Sequence, residues 1–70
     1  MPKATAALRH LRFEAKMSQA KLARYADIDR NTLANAESGK QVSEMSIVKI
    51  KSALSTALDR EISEAEIIQN

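Results

Sequence analysis

The 70-residue chain contains no cysteine, and histidine, glycine and proline occur once each. Without cysteine there is neither a disulfide framework nor a thiolate metal site. His10 alone cannot build a zinc centre, so no metal and no other cofactor is expected. No apolar run approaches the roughly 20 residues needed to span a bilayer, and Met1–Lys3 opens no secretory signal. A membrane partner is therefore not expected, and a cytoplasmic location follows by default. No nucleophile, base and orienting group fall into a recognisable set, which argues against an enzyme and leaves no catalytic residue to name.

Ala, Leu, Ile, Lys, Arg and Glu are plentiful, the composition of a helical domain. A chain this short supports one core and roughly 3–5 kcal/mol of stability. Self-association is a common remedy for so small a core. The formal net charge is only +2, yet it is unevenly spread. Residues 1–51 hold ten basic side chains against five acids, whereas residues 52–70 hold Arg60 against Asp59, Glu61, Glu64 and Glu66. A basic body with an acidic tail suits a phosphate-facing body and a tail turned elsewhere.

Helical periodicity runs through the sequence and strand-like alternation is absent. Pro2 precedes a first helix over Ala4–Lys16, with Ala4, Leu8, Leu11 and Ala15 on one stripe. Ser18 caps a second helix, Gln19–Ala26. Asp27-Ile28-Asp29 forms a break, because Asp tolerates the left-handed conformation and Asp29 can cap the next helix. That third helix spans Arg30–Ser38 and stops at Gly39. After Lys40–Ser43 a fourth helix reaches Leu58, burying Ile47, Ile50, Ala53, Leu54 and Ala57. Ser63-Glu64-Ala65-Glu66 fits a capping box and predicts a short last helix bearing Ile67 and Ile68. The expected fold is all-α, a compact bundle of four to five short helices. Residues 1–58 carry the helix-turn-helix and residues 59–70 form a tail of the same domain.

The stretch Ser18–Gly39 places two short helices around a three-residue turn, with the small Ala23 where they approach. Leu33 and Ala36 of the third helix point inward, and Asn31, Asn35 and Ser38 lie opposite, with Arg30 on the first turn. That outer face is short, polar and nearly uncharged in its middle, so it can enter a major groove about 12 Å wide. Its chemistry matches base edges: Arg pairs with guanine O6 and N7, Asn with adenine N6 and N7. A simply solvated helix face would look similar.

The pattern L-R-x-L-R at 8–12, S-Q-x-x-L-A at 18–23, I-x-R-x-T-L at 28–33, E-x-G-K at 37–40 and I-V-K-I-x-x-A-L at 47–54 resembles the Cro and lambda-repressor helix-turn-helix family. The resemblance implies a lambda-repressor-like fold and double-stranded DNA as partner. It places Arg30, Asn31 and Asn35 at base-contacting positions, and Gln19, Thr32, Ser38, Lys40 and Gln41 at the phosphate backbone. It makes Arg12 and Glu37 a buried ion pair tying the first helix to the third. The chain departs from the family where Asp27 replaces the usual turn Gly. Ala26 and Ala36 replace larger core residues, which thins the core, and the linker at 41–46 is one residue short of the family's.

The leading function is a sequence-specific repressor acting as a homodimer on a palindromic operator, in a bacterial, phage or plasmid setting. Met45, Val48, Ile62, Ile67 and Ile68 are the candidate dimer contacts, a satellite core being the alternative for the isoleucines. Phe13 either folds against Met17 or stands exposed for a partner. The chain ends soon after the DNA-binding unit, so no small-molecule ligand is expected. The alternative is a protein-interaction module, or an antitoxin subunit, built on the same fold.

Overall fold

The computed structural model describes residues 3–4 and 7–69. Five helices succeed one another: α1 (Ala7–Glu14), α2 (Gln19–Tyr25), α3 (Arg30–Glu37), α4 (Glu44–Leu58) and α5 (Glu64–Ile67). The two ends of the chain meet as strands β1 (Lys3–Ala4) and β2 (Ile68–Gln69), antiparallel, with Lys3 opposite Gln69 and Ala4 opposite Ile68.

Helices α2, α3 and α4 each begin on a short polar side chain that accepts an otherwise orphaned backbone N–H. Ser18 accepts from Lys21, Asp29 from Asn31 and Ser43 from Ser46, each at 3.1 Å. At α5 the Glu66 carboxylate reaches back to the Ser63 N–H at 3.0 Å. That bond holds its pKa below the ordinary 4.5, with Arg60 adding in the same direction.

The helices close alike. After α1, α2, α3 and α4 a residue takes the left-handed conformation: Lys16 (φ 59), Asp27 (φ 59), Gly39 (φ 82) and Asp59 (φ 53). In each case the next N–H along the chain reaches back five residues: Met17 to Arg12, Ile28 to Ala23, Lys40 to Asn35, and Arg60 to Ser55. The left-handed residue's own N–H reaches back three, which completes the Schellman pattern.

The core is built from Leu8, Leu22, Leu33, Ile47, Ile50 and Leu54, with Ala23, Ala26, Ala36 and Ala53 at close approaches. Two expectations from the sequence are corrected. Ala4 lies in β1 and α1 starts at Ala7, because the first residues pair with the C-terminal strand instead of extending the helix. Ile62 and Ile67, expected among the dimer contacts, are 1% and 0% exposed and belong to the protomer's own core. The capping box turns α5 back on the bundle, against α1 and α4. The side chain of Ile68 lies outside the described residues.

One polar group crosses this core. Glu37, at the end of α3, is buried and accepts from Arg12 of α1 in a forked pair, Nε to Oε2 at 2.5 Å and Nη2 to Oε1 at 3.0 Å. Arg12 also donates from Nη1 to the Met17 carbonyl at 3.0 Å. Oε1 of Glu37 takes a second bond, from Gln19 Nε2 at 3.0 Å, and Arg9 Nε stands 3.8 Å away. Among the described residues no buried side-chain polar atom lacks a partner. A buried charge so surrounded contributes little net energy, but removing one partner is costly.

Arg12→Ala is therefore expected to cost about 3 kcal/mol or more and to lower Tm by more than about 10 °C. An unchanged melting curve would deny the pair any structural role. Ile67→Ala is expected to destabilise the protomer by about 2–4 kcal/mol in denaturant titration; a loss under about 0.5 kcal/mol would contradict its place in the core. The lowered pKa of Glu66 makes its contribution complete at pH above about 4.5, lost as pH falls through its folded value. Glu66→Gln should accordingly flatten the acid limb of the stability profile, and an acid limb unaltered by that change would dismiss the cap.

Candidate nucleic-acid interface

Two short helices and a turn set the site. α2 ends at Ala26, whose N–H bonds the Leu22 carbonyl at 2.8 Å. Asp27 then reverses the backbone, and the Ile28 N–H returns to the Ala23 carbonyl at 2.9 Å. Ala23 is buried at the approach of α2 and α3, where a larger side chain would push the helices apart. Asp27, which replaces the usual Gly, has a cation close by. Lys49 Nζ donates to its carbonyl at 3.3 Å and lies 3.9 Å from its carboxylate.

Helix α3 presents two unlike faces. Leu33, Ala36 and Glu37 are buried, and Arg30, Asn31 and Asn35 are exposed, with Thr32 and Ala34 half-buried between them. Among the described residues nothing holds the side chains of Arg30, Asn31 or Asn35 by hydrogen bond or ion pair, so their donors and acceptors are open to a ligand. The inward face is fixed in rotation by Leu33 and by the Glu37 clamp. The outward face is therefore aimed by the core rather than by its own contacts.

The other expected residues surround this face unevenly. Gln19 is half-buried at the start of α2, and its amide is already committed to Glu37. This bond braces α3 from α2. Ser38, Lys40 and Gln41 are exposed at and just beyond the end of α3, where Gly39 closes the helix. Met45 and Val48 are exposed on α4. Phe13 stands 58% exposed, with the Arg12 guanidinium 4.8 Å from its ring centre.

Exposed cations and acids alternate around the turn, Asp27 and Asp29 lying between Arg24 and Arg30. Lys16, Lys21, Arg24, Arg30 and Lys40 are exposed and, among the described residues, take part in no ion pair. Several acids are engaged instead: Glu37 by Arg12, and Glu14 and Glu66 by Arg60 at 3.7 and 3.5 Å. The approach of Arg9 to Glu37 was not read from the sequence, although Arg9 sits one turn before Arg12 on the same side of α1. The Lys49–Asp27 contact was also missed, since no local spacing links residues 22 positions apart. Among the described residues no cluster of His, Cys, Asp and Glu could hold a metal ion, and no helix is long and apolar enough to cross a membrane.

A family model described as helix-turn-helix matches residues 8–63, from the first buried leucine of α1 to the cap of α5. Comparison with curated proteins and with solved structures returns no match. The match spans most of the chain and includes the clamp, the turn and the exposed face of α3. The chain belongs to the helix-turn-helix family of Cro/lambda-repressor type and is a DNA-binding regulator, of a regulatory rather than catalytic family.

Proposed function

We propose that the chain is a sequence-specific transcriptional repressor that binds a palindromic operator as a homodimer, with α3 in the major groove. The observation that carries this reading is the outer face of α3. Arg30, Asn31 and Asn35 are exposed, and unpartnered among the described residues, on a helix whose opposite side is locked into the core. In this reading Arg30 pairs with guanine, and Asn31 and Asn35 pair with adenine edges. The half-buried Ala34 beside them leaves room for a thymine methyl.

Gln19, Thr32, Ser38, Lys40 and Gln41 then meet the phosphates on either side of the groove. Gln19 keeps one amide N–H on Glu37. A phosphate offers only acceptors, and the second N–H of the Gln19 amide, which the Glu37 bond leaves open, is the donor that meets one. The unpaired cations supply the sequence-independent part of the affinity, through release of counterions.

One α3 reads only a few base pairs, which is too little discrimination alone. Two copies on half-sites about 34 Å apart double the readout. Of the apolar residues read as dimer contacts, Met45 and Val48 are the two that the described surface leaves open. A site of action on operator DNA fits a cytoplasmic protein of a bacterium, phage or plasmid. The alternative of a protein-interaction module draws on that same apolar exposure, but α3 offers it no apolar or acidic face.

Binding-site selection from random DNA, then titration of the selected site, tests the reading. Arg30→Ala and Asn35→Ala are each expected to cost about 1–3 kcal/mol on the selected site and to relax its sequence at one position. Lys40→Ala should weaken binding to all DNA alike and reduce the salt slope by about one. Equal losses on selected and random DNA for the α3 variants would refute base reading by this face.

A further inference from the structure

One guanidinium at the Glu37 clamp is not consumed by it. Glu37 accepts two hydrogen bonds from Arg12 and one from Gln19, and its Oε1 takes two of the three. Arg9 Nε stands 3.8 Å from that same oxygen, beyond hydrogen-bond range. The Arg9 side chain is 54% exposed, whereas those of Arg12 and Glu37 are 10% and 1% exposed. Among the described residues the Arg9 guanidinium makes no hydrogen bond, so its fork of N–H donors is unspent. The cluster holds two guanidinium charges against one carboxylate, and the surplus lies on its exposed member.

We propose that Arg9 binds the DNA backbone and grips the same phosphate as Gln19. This assignment rests on the reading of Gln19 as a phosphate contact, and it brings the exposed side of α1 into the interface. Position supports it first. Arg9 Nε and Gln19 Nε2 lie 3.8 and 3.0 Å from one oxygen, so they stand within about 7 Å of each other, a span that a single phosphate bridges with two N–H···O bonds of about 2.9 Å. Ser38 is exposed and adjoins Glu37 in the chain, which makes this corner continuous with the exposed Lys40 and Gln41 beyond α3.

Chemistry supports it next. A phosphodiester is an anion that offers only acceptors, so its seat needs donors and positive charge. Arg9 supplies a planar fork that matches two phosphate oxygens, and Gln19 supplies the N–H that Glu37 leaves open. The one acid of the cluster is buried, and both its oxygens are already filled, so a phosphate would meet donors there rather than a bare carboxylate. A second counter-ion serving Glu37 alone would close to hydrogen-bond distance, which Arg9 does not. Nor does a phosphate at Arg9 require any bond of the clamp to break.

Titration of the full chain with random-sequence duplex across a salt series tests the contact, since a phosphate bond needs no particular sequence. Arg9→Ala is expected to lower affinity about tenfold at low salt and to reduce the salt slope by about one, with the melting curve unchanged. Arg9→Lys should keep the slope and lose part of the affinity, because it keeps the charge without the fork. On the selected operator, single neutral methylphosphonates placed along each strand should reveal one position that weakens the wild type but costs neither Arg9→Ala nor Gln19→Ala anything further. A salt slope unaltered in Arg9→Ala would overturn the proposal. So would a drop in Tm that accounts for the lost affinity, which would leave Arg9 a counter-ion of Glu37. Different sensitive positions for the two variants would end the shared phosphate. Inorganic phosphate should displace duplex no better than chloride at equal ionic strength; a stronger displacement that Arg9→Ala abolishes would give the site to a free anion instead. A chain that binds random duplex with this slope yet selects no site would end the repressor reading and leave the Arg9 contact standing.

Discussion

Everything the outer face of α3 does depends on the buried carboxylate at its other end. Glu37 is accepted into the core because three donors from two other helices meet it: both fork nitrogens of Arg12 and the amide of Gln19. Those bonds leave Glu37 one place to sit, and with Leu33 they fix the rotation of a helix only eight residues long. A helix so short has little stability of its own. Its register against DNA is thus borrowed from α1 and α2, and a slip of one residue would turn its outward set by about 100°.

Of the two tasks its sequence allows, a subunit contact or a piece of core, the tail takes the second. Ile62 and Ile67 close the core over α1 and α4, and Arg60 ties the tail to α1 through Glu14. The antiparallel pairing of β1 with β2 joins the chain ends beside α3. Arg60 engages Glu66 of the tail and Glu14 of α1, while Asp27 and Asp29 stay exposed in the turn before α3. The small net charge hides this arrangement. What DNA meets is the local field of unpaired cations rather than the average over the chain.

The helices, their polar caps and the turn were legible from the sequence because each is encoded locally. Ser18 and Asp29 cap by contacts within three residues, and Leu33, Ala36 and Glu37 keep to the helical period; the Ser43 cap of α4 is as local, but the sequence reading keeps Ser43 in the linker. The faces of α3 were legible for the same reason. The β1–β2 pairing was not, since it joins residues more than 60 apart with no alternation to announce it. The destination of Ile62 and Ile67 was ambiguous because an apolar residue after a loop serves a subunit contact or a core equally well. Arg12 with Glu37 was found through family resemblance, and no local spacing would have found it. Lys49 with Asp27 was missed because nothing local and nothing in the resemblance marks it.

The way the helices end has a consequence for the protein's working stability. Of the four left-handed closing positions only Gly39 is a glycine; the others are Lys16, Asp27 and Asp59. A side chain there costs on the order of 1 kcal/mol, less for aspartate than for lysine. For a domain of this size, where a few kcal/mol is the usual margin, such costs are a sizeable share of it. By mass action, any ligand that engages only the folded form then raises the folded fraction appreciably. Occupancy and foldedness become coupled quantities in such a protein, and the copies in excess of available sites are the ones most exposed to proteolysis.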